Sequence, residues 1–208
     1  MREVQNGDRM RISLMGPPGS GKGTQGDRLS EALGIPKIST GDLIRAEIAS
    51  GSDRGKEIEA DFHRGKLSPP DLVVSLVQSR VEHRDCSRGF ILDGSPRTVE
   101  EAHFMLENGV VDVMVVLDLP DEVLIERMEG RRIDPSTGKT YHVSLGLPDI
   151  ALTTREMDSD PQARIREFKS KSLPALSMFS SSVRTHVNGV GTPDQVYIRI
   201  LETLLRGR

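Results

Sequence analysis

Short apolar runs and helical periodicities alternate along most of the chain. The longest apolar run is almost unbroken by polar residues, which is typical of a parallel strand covered on both faces. The runs predict strands at 10–15, 35–38, 89–93, 111–119 and 183–187, and the periodic segments predict helices at 24–33, 39–49, 56–64, 72–81, 98–106, 122–128, 160–180 and 193–205. Alternating strands and helices indicate parallel βαβ units. The pattern therefore predicts an α/β fold with a doubly wound, five-stranded parallel sheet and helices on both faces.

The pattern changes between about residues 130 and 157, where Pro, Gly, Ser and Thr dominate and the periodicity disappears. Such a segment predicts a compact insertion rather than a core element. Residues 1–9 are polar and contain no apolar signal-peptide core, so we expect a flexible N-terminal extension ahead of a domain at 10–208.

Composition narrows the functional class without identifying it. The chain has 208 residues, 28% of them charged, and a net charge of -3, which does not suit a basic nucleic-acid-binding protein. The single cysteine, Cys86, excludes a disulfide framework and a four-cysteine zinc site, and it suits a reducing compartment such as the cytoplasm. No apolar run approaches the roughly 20 residues that cross a bilayer, so no membrane association is expected.

The clearest chemical motif is GPPGSGKGT at 16–24, which follows the first predicted strand and precedes a predicted helix. In that context the glycines allow consecutive backbone N–H groups to point into one concavity, and the helix directs its positive end at the same place. Lys22 adds a mobile positive charge for the outer phosphates. Gly23 follows this lysine where the strict motif has Ser or Thr, and the hydroxyl comes one place later at Thr24. The motif predicts a nucleoside triphosphate site.

Arginines supply a second signal, because they recur near the predicted carboxyl ends of strands and in the insertion. The set is Arg45, Arg97, Arg127, Arg131, Arg132, Arg155 and Arg164. Phosphoryl transfer requires positive groups fixed around the moving phosphoryl group, and the planar guanidinium fits phosphate oxygens. Together with the phosphate loop, the arginines favour a kinase over a protein that only binds a nucleotide.

The chain resembles the adenylate kinases, within the broader nucleoside monophosphate kinase family. The resemblance rests on GPPGSGKGTQ at 16–25, STGDLIR at 39–45, GFILDGSPRT at 89–98, LPDEVLIERMEGRRIDPSTGKTYH at 119–142 and a weaker RIREF at 164–168. It covers most of residues 10–208, and the Gly23-Thr24 variation is the family's usual form. It implies a monomeric kinase that moves the terminal phosphoryl group of ATP to AMP with Mg²⁺. It also implies a core, a monophosphate-binding arm at 39–68 and a lid at 130–158.

The resemblance also implies roles for the matching residues. The implied ATP-binding residues are Gly19, Ser20, Gly21, Lys22, Gly23, Thr24, Arg127 and Arg131. The implied AMP-binding residues are Thr40, Arg45, Gly94, Arg97 and Glu101. The implied catalytic residues are Lys22, Arg97, Arg131, Arg155 and Arg164, of which the last two act when the lid closes. Asp93 and Asp42 would orient waters of the Mg²⁺ shell without binding the metal directly, which suits a cation that keeps most of its waters.

The lid departs from the family pattern in two ways. It is shortened and lacks the four cysteines that often hold zinc, so no zinc is expected and a polar network of Ser136, Thr137 and His142 is predicted instead. The acidic pair after Arg155 has become Met157-Asp158, and Arg164 follows Arg155 after nine residues, which is shorter than expected. Arg166 therefore competes with Arg164 for the catalytic role.

The acceptor pocket departs at Glu101, where the family has a glutamine that contacts the adenine edge, and at Ser95, where it has an aromatic residue. A carboxylate only accepts hydrogen bonds, so Glu101 would repel N1 of adenine and could accept from N1–H and the amino group of guanine. Acceptor selectivity could thus be weakened or shifted toward GMP. Alternatively, Glu101 is protonated or forms an i,i+4 ion pair with Arg97.

The sequence is also compatible with two other functions. One is a kinase with another or broader acceptor range, including GMP, UMP and CMP. The other is an adenylate-binding module with weak or no catalysis, which the altered lid favours and the retained arginines oppose.

Overall fold

Strands and helices alternate along the chain in the computed structural model, which describes residues 9–137, 139–154 and 156–206. The strands are β1 Met10–Met15, β2 Lys37–Ser39, β3 Gly89–Asp93, β4 Val113–Asp118, β5 Arg131–Ile133, β6 Thr140–His142 and β7 Arg184–Asn188. The α-helices are α1 Lys22–Leu33, α2 Thr40–Ala49, α3 Asp53–His63, α4 Pro70–Val81, α5 Val99–Glu107, α6 Asp121–Glu129, α7 Pro161–Glu167, α8 Leu173–Ser177 and α9 Pro193–Arg206. The predicted extension at 1–9 falls outside the described residues except for Arg9.

Five parallel strands form the central sheet in the order β2-β3-β1-β4-β7, which confirms the predicted fold class. In register, Leu14 of β1 lies between Asp93 of β3 and Val115 of β4. Ser39 at the end of β2 pairs with Asp93 as well. The carboxyl ends of β1, β2 and β3 therefore meet at one edge, where ligands bind in doubly wound sheets.

Two apolar layers cover the sheet because successive side chains of a strand point to opposite faces. On one face, Ile12 and Leu14 pack in a cluster with residues of α1 and α9. On the other face, Met15 packs in a cluster with residues of α4, α5 and α8. The strand pattern thus determines which helices lie on which side.

The predicted single helix over 160–180 is wrong in its middle. The chain forms α7, a π-helical turn at Phe168–Ser172 and then α8. Pro174 lacks the amide hydrogen that would continue the α-helical ladder, and its ring crowds the preceding turn. A wider turn accommodates the proline without ending the helical path.

The segment predicted as a lid forms a small antiparallel unit of β5 and β6. Thr153 closes this unit by exchanging two backbone hydrogen bonds with Ile133, each 2.8 Å long. The segment predicted as the monophosphate arm holds α2 and α3, which pack against each other. Division into moving parts stays a prediction. Among the described residues, no helix is both long and apolar enough to cross a membrane.

Candidate active site

The phosphate loop is shaped by glycines that no other residue could replace without strain. Gly19 and Gly21 have φ angles of 84° and 88°, in the left-handed region that favours glycine. A Cβ on Gly19 would also lie 2.7 Å from the backbone oxygen of Leu124. Gly21 is the N-cap of α1, and it provides no side-chain hydrogen bond to the first turn. The first N–H groups of α1 are thus left to an anion, as a phosphate site requires.

Lys22 lies at the start of α1 and donates to the backbone oxygen of Pro17 over 3.3 Å. Burial lowers the pKa of this lysine to about 7. The negative charge of Asp93 opposes the shift, while the positive charges of Arg97, Arg164 and Arg131 add to it. Lys22 is therefore surrounded by three arginine charges and one carboxylate.

This shift predicts proton uptake when ATP binds. The phosphates favour the ammonium form, so the pKa of Lys22 is higher in the complex than the value of about 7 in the free protein. Between those two pKa values binding takes up a proton, and the affinity for ATP falls as pH rises above about 7. Calorimetry at pH 8 in buffers of different ionisation enthalpy measures this uptake. Lys22→Met should abolish the added uptake; an unchanged proton count in that variant would contradict the assignment.

Arg127, predicted to bind ATP, connects the phosphate loop to the loop after β7. Its guanidinium donates to the backbone oxygen of Ser20 at 3.4 Å and to those of Gly189 and Gly191 at 3.2 and 3.3 Å. Burial lowers its pKa. Position and contacts place a positive charge between the phosphate loop and the loop after β7.

Arg131 and Arg164 both contact Asp158, which is 94% buried by side-chain area (6% exposed). The Arg131–Asp158 distance is 3.4 Å between Nη1 and Oδ2, and Arg164 forms a shorter contact with Oδ1. A buried carboxylate between two arginines holds both guanidinium groups in place. Arg155 lies outside the described residues, so its predicted role stays a prediction. Asp158 was not predicted as a site residue, although it is the acidic member of the altered pair Met157-Asp158.

Arg164 and Arg166, the competing candidates on α7, differ in their surroundings. Arg164 lines a cavity of about 60 Å³ together with Lys22, Gly94 and Arg97. Arg166 is exposed. The cavity joins the phosphate loop, the turn after β3 and α7, and the segment after α3 contributes Gly65 and Leu67 to it.

Asp93 and Asp42, the two carboxylates predicted near Mg²⁺, differ in their partners. Asp93 lies close to the start of α1, since a Cβ on Gly23 would be 3.5 Å from its Oδ2 atom. A carboxylate at this place has oxygens that could accept hydrogen bonds from the water shell of a magnesium ion. Asp42 instead accepts a hydrogen bond from Arg45. Burial would raise the pKa of Asp42, but the hydrogen bond and charge of Arg45 outweigh it and lower that pKa.

Four of the five predicted acceptor residues, Thr40, Gly94, Arg97 and Glu101, meet at the turn after β3, whereas Arg45 pairs with Asp42 on α2. Thr40, at the start of α2, donates to the backbone oxygen of Gly94 over 3.3 Å. Arg97 donates from Nε to the same oxygen over 2.7 Å. A cleft of about 620 Å³ lies between α3 and the start of α5, with Ile58, Phe62 and Thr98 among its lining residues, but none of the predicted acceptor residues lines it.

Glu101 is almost fully buried, and its Oε2 atom has two donors. Ser95 Oγ lies 2.8 Å away and the backbone nitrogen of Arg97 2.9 Å away. Arg97 precedes α5, so the suggested i,i+4 ion pair within a helix is wrong: the backbone of Arg97, rather than its guanidinium, donates to the carboxylate. Burial raises the pKa of Glu101, against the effect of these hydrogen bonds.

The polar network predicted in the lid is divided into two parts. Asp134 accepts from Ser136 Oγ and Thr137 Oγ1, each over 2.6 Å, and these bonds lower its pKa to about 2. His142 instead contacts Ser144, with 2.7 Å between Nδ1 and Oγ. Among the described residues, no group of three or more His, Cys, Asp or Glu could hold a metal ion.

Comparison with protein families agrees with this geometry. The family model for adenylate kinase matches residues 14–184, which include the phosphate loop, the turn after β3 and α7. The chain belongs to the adenylate kinase family. It is therefore a nucleoside monophosphate kinase, a phosphotransferase that binds ATP and a nucleoside monophosphate. The matched stretch of this adenylate kinase family member includes Lys22, Arg97 and Arg164, which line the small cavity.

Proposed function

We propose that the protein transfers the terminal phosphoryl group of ATP to AMP, giving two ADP in a Mg²⁺-dependent reaction. The observation that carries the proposal is the convergence of Lys22, Arg97 and Arg164 on one small cavity. Lys22 belongs to the phosphate loop and Arg97 to the turn after β3. Arg164 comes from the segment that follows the lid. Each cation thus comes from a different part of the chain, as a site for two nucleotides requires.

On the donor side, the N–H groups at the start of α1 bind the phosphates of ATP, and Lys22 neutralises their outer oxygens. Magnesium, when bound with ATP, would neutralise further charge on the phosphates. Asp93 would hold the water shell of the metal. Arg127 lies between the phosphate loop and the loop after β7, where its positive charge attracts the phosphates of the donor nucleotide.

On the acceptor side, Arg97 and Arg45 bind the phosphate of AMP. Because Arg45 is paired with Asp42 in the unliganded protein, the acceptor phosphate must compete with that carboxylate. Lys22, Arg97 and Arg164, which line the small cavity, then surround the transferring phosphoryl group, and their charge stabilises the transition state more than the separate substrates. Closure of the arm and lid excludes water, which would otherwise accept the phosphoryl group.

The reverse reaction gives the most direct test. Incubation with ADP and Mg²⁺ should produce equal amounts of ATP and AMP, measured by chromatography, and EDTA should stop the reaction. ADP binding without any product would contradict the proposal and favour a protein that only senses adenylates.

A broader acceptor range is the second candidate, because a carboxylate stands at Glu101 where the family has glutamine. Turnover of AMP, GMP, UMP and CMP with ATP compares the two candidates directly. We also propose that the protein is a cytoplasmic monomer; its single cysteine, Cys86, is buried and free, which suits a reducing compartment.

A further inference from the structure

Buried polar side chains are concentrated around the turn from Gly94 to Arg97. Each of these side chains is at most 3% exposed, and the set is Ser13, Thr40, Ser95, Glu101 and Ser172. Buried polar groups must be hydrogen-bonded to be tolerated. Their concentration here indicates that the backbone of this turn is held in one accurate position. The turn carries Arg97, whose guanidinium lines the small cavity.

The contacts to the turn come from four different elements. From β1, Ser13 Oγ donates to the backbone oxygen of Ser95 over 2.7 Å. From α2, Thr40 donates to the oxygen of Gly94. From the π-helical turn, Ser172 Oγ donates to the backbone oxygen of Arg97 over 3.2 Å. Glu101 of α5 supplies the remaining contacts.

Glu101 differs from the other buried polar side chains around the turn because it accepts hydrogen bonds from two donors of the turn. The hydroxyl of Ser95 and the backbone N–H of Arg97 both reach its Oε2 atom. Without this carboxylate, the N–H of Arg97 would lose its side-chain acceptor, since a helix cannot supply one ahead of its first turn.

We infer that Glu101, together with Ser95, is a positioning residue that orients Arg97 for the acceptor phosphate rather than a reader of the acceptor base. The inference rests on the proposed kinase function. Ser95 and Glu101 are the two residues of the predicted acceptor site that depart from the family pattern. They are hydrogen-bonded to each other and act as one unit. Base discrimination then depends on groups other than Glu101.

The distinguishing experiment measures kcat and KM of the full-length protein for AMP and GMP, with ATP as donor. The Glu101→Gln variant keeps an oxygen acceptor for Arg97 and Ser95. We expect it to keep kcat within about threefold, with an unchanged ratio of kcat/KM between AMP and GMP. A reader of the base would behave differently, because the amide of glutamine donates where the carboxylate accepts. A tenfold or larger change in the AMP to GMP ratio would overturn the inference.

The Glu101→Ala variant removes the acceptor. We expect kcat to fall about 10-fold to 100-fold by the same factor for both acceptors, with KM for ATP unchanged. If Glu101 acts through Arg97, the same change in an Arg97→Ala background has little further effect, at most about threefold. Equal effects in the two backgrounds would contradict the inference.

Two further variants keep the test decisive if Glu101→Ala fails to fold. Ser95→Ala removes one donor and leaves the Arg97 contact, so we expect a smaller loss of kcat with the same acceptor ratio. Glu107→Ala removes an exposed carboxylate from the same helix, and it should leave kcat and KM unchanged. Wild-type protein without kinase activity would contradict the proposed function itself, whereas a changed acceptor ratio in an active Glu101→Gln variant contradicts only this inference.

Discussion

Replacing Arg97 by Ala lowers kcat/KM for the reaction of ATP with AMP by about 10²–10⁴-fold. That loss corresponds to about 3–5 kcal/mol of transition-state stabilisation, at about 1.4 kcal/mol for each factor of ten. The reason is position: Arg97 lines the small cavity with Lys22 and Arg164, and its Nε atom is fixed on the backbone oxygen of Gly94. A charge held in place before the reaction acts on the transition state without a cost of reorganisation.

Steady-state kinetics with varied AMP and varied ATP test this expectation. Because Arg97 is on the acceptor side of the cavity, KM for ATP should change less than kcat/KM for AMP. Arg88→Ala serves as the control, since Arg88 is an exposed arginine immediately before β3, at the opposite edge of the sheet from the site. It should stay within about twofold of wild type. Activity of Arg97→Ala close to that of the Arg88 control would show that the acceptor phosphate binds elsewhere.

The donor half of the site could be predicted from sequence because its determinants are local. The flanking strand, the phosphate loop and the start of α1 lie within the 15 consecutive residues 10–24, and Gly16, Gly19 and Gly21 all have positive φ angles there. The five-stranded sheet was predictable for a similar reason, because apolar runs identify strands and the alternation with helices determines their parallel arrangement. The helix ends were predicted less accurately. Helix α1 begins at Lys22 and not at residue 24, because a glycine N-cap gives no signal in the pattern of apolar residues.

The acceptor half depends on contacts between distant residues, which a single sequence does not reveal. Ser13 and Ser172 are separated by most of the chain, yet both hold the turn that carries Arg97. The apolar neighbours of Ser13 indicate a buried strand, but nothing in the sequence around either serine indicates that it contacts this turn. The alternative roles of Glu101, contact with the acceptor base or an ion pair with Arg97, could likewise not be separated from sequence, because the backbone donor at Arg97 becomes evident only when the turn before α5 is formed.

Arg164 and Arg166 show how two plausible assignments separate once a helix has a defined orientation. The residues are two positions apart on α7, and residues at that spacing do not face the same direction. Arg164 contacts Asp158 and lines the cavity, while Arg166 is exposed. The shortened spacing after Arg155 is therefore compatible with Arg164 in the catalytic role, and the shift to Arg166 is unnecessary.

The different surroundings of Arg164 and Arg166 predict very different effects of their replacement on catalysis. Arg164→Ala should lower kcat by about 10²–10³-fold, or about 3–4 kcal/mol, whereas Arg166→Ala should stay within about threefold of wild type. KM for either nucleotide should change little in Arg164→Ala, because a group that acts mainly on the transferring phosphoryl group stabilises the transition state more than the bound substrates. A larger loss in Arg166→Ala than in Arg164→Ala would reverse the assignment.

The Arg164 variants also test the electrostatic coupling to Lys22. The charge of Arg164 contributes to the lowered pKa of Lys22, so Arg164→Ala raises that pKa above about 7. More Lys22 is then already protonated in the free protein at pH 8, and proton uptake on ATP binding becomes smaller. Arg164→Lys retains the positive charge and should retain the uptake, but it loses the planar fork that binds phosphate oxygens and should recover only part of kcat. Loss of catalysis with unchanged proton uptake in Arg164→Ala would mean that Arg164 and Lys22 do not share one site, because two charges around a common phosphoryl group cannot be electrostatically independent.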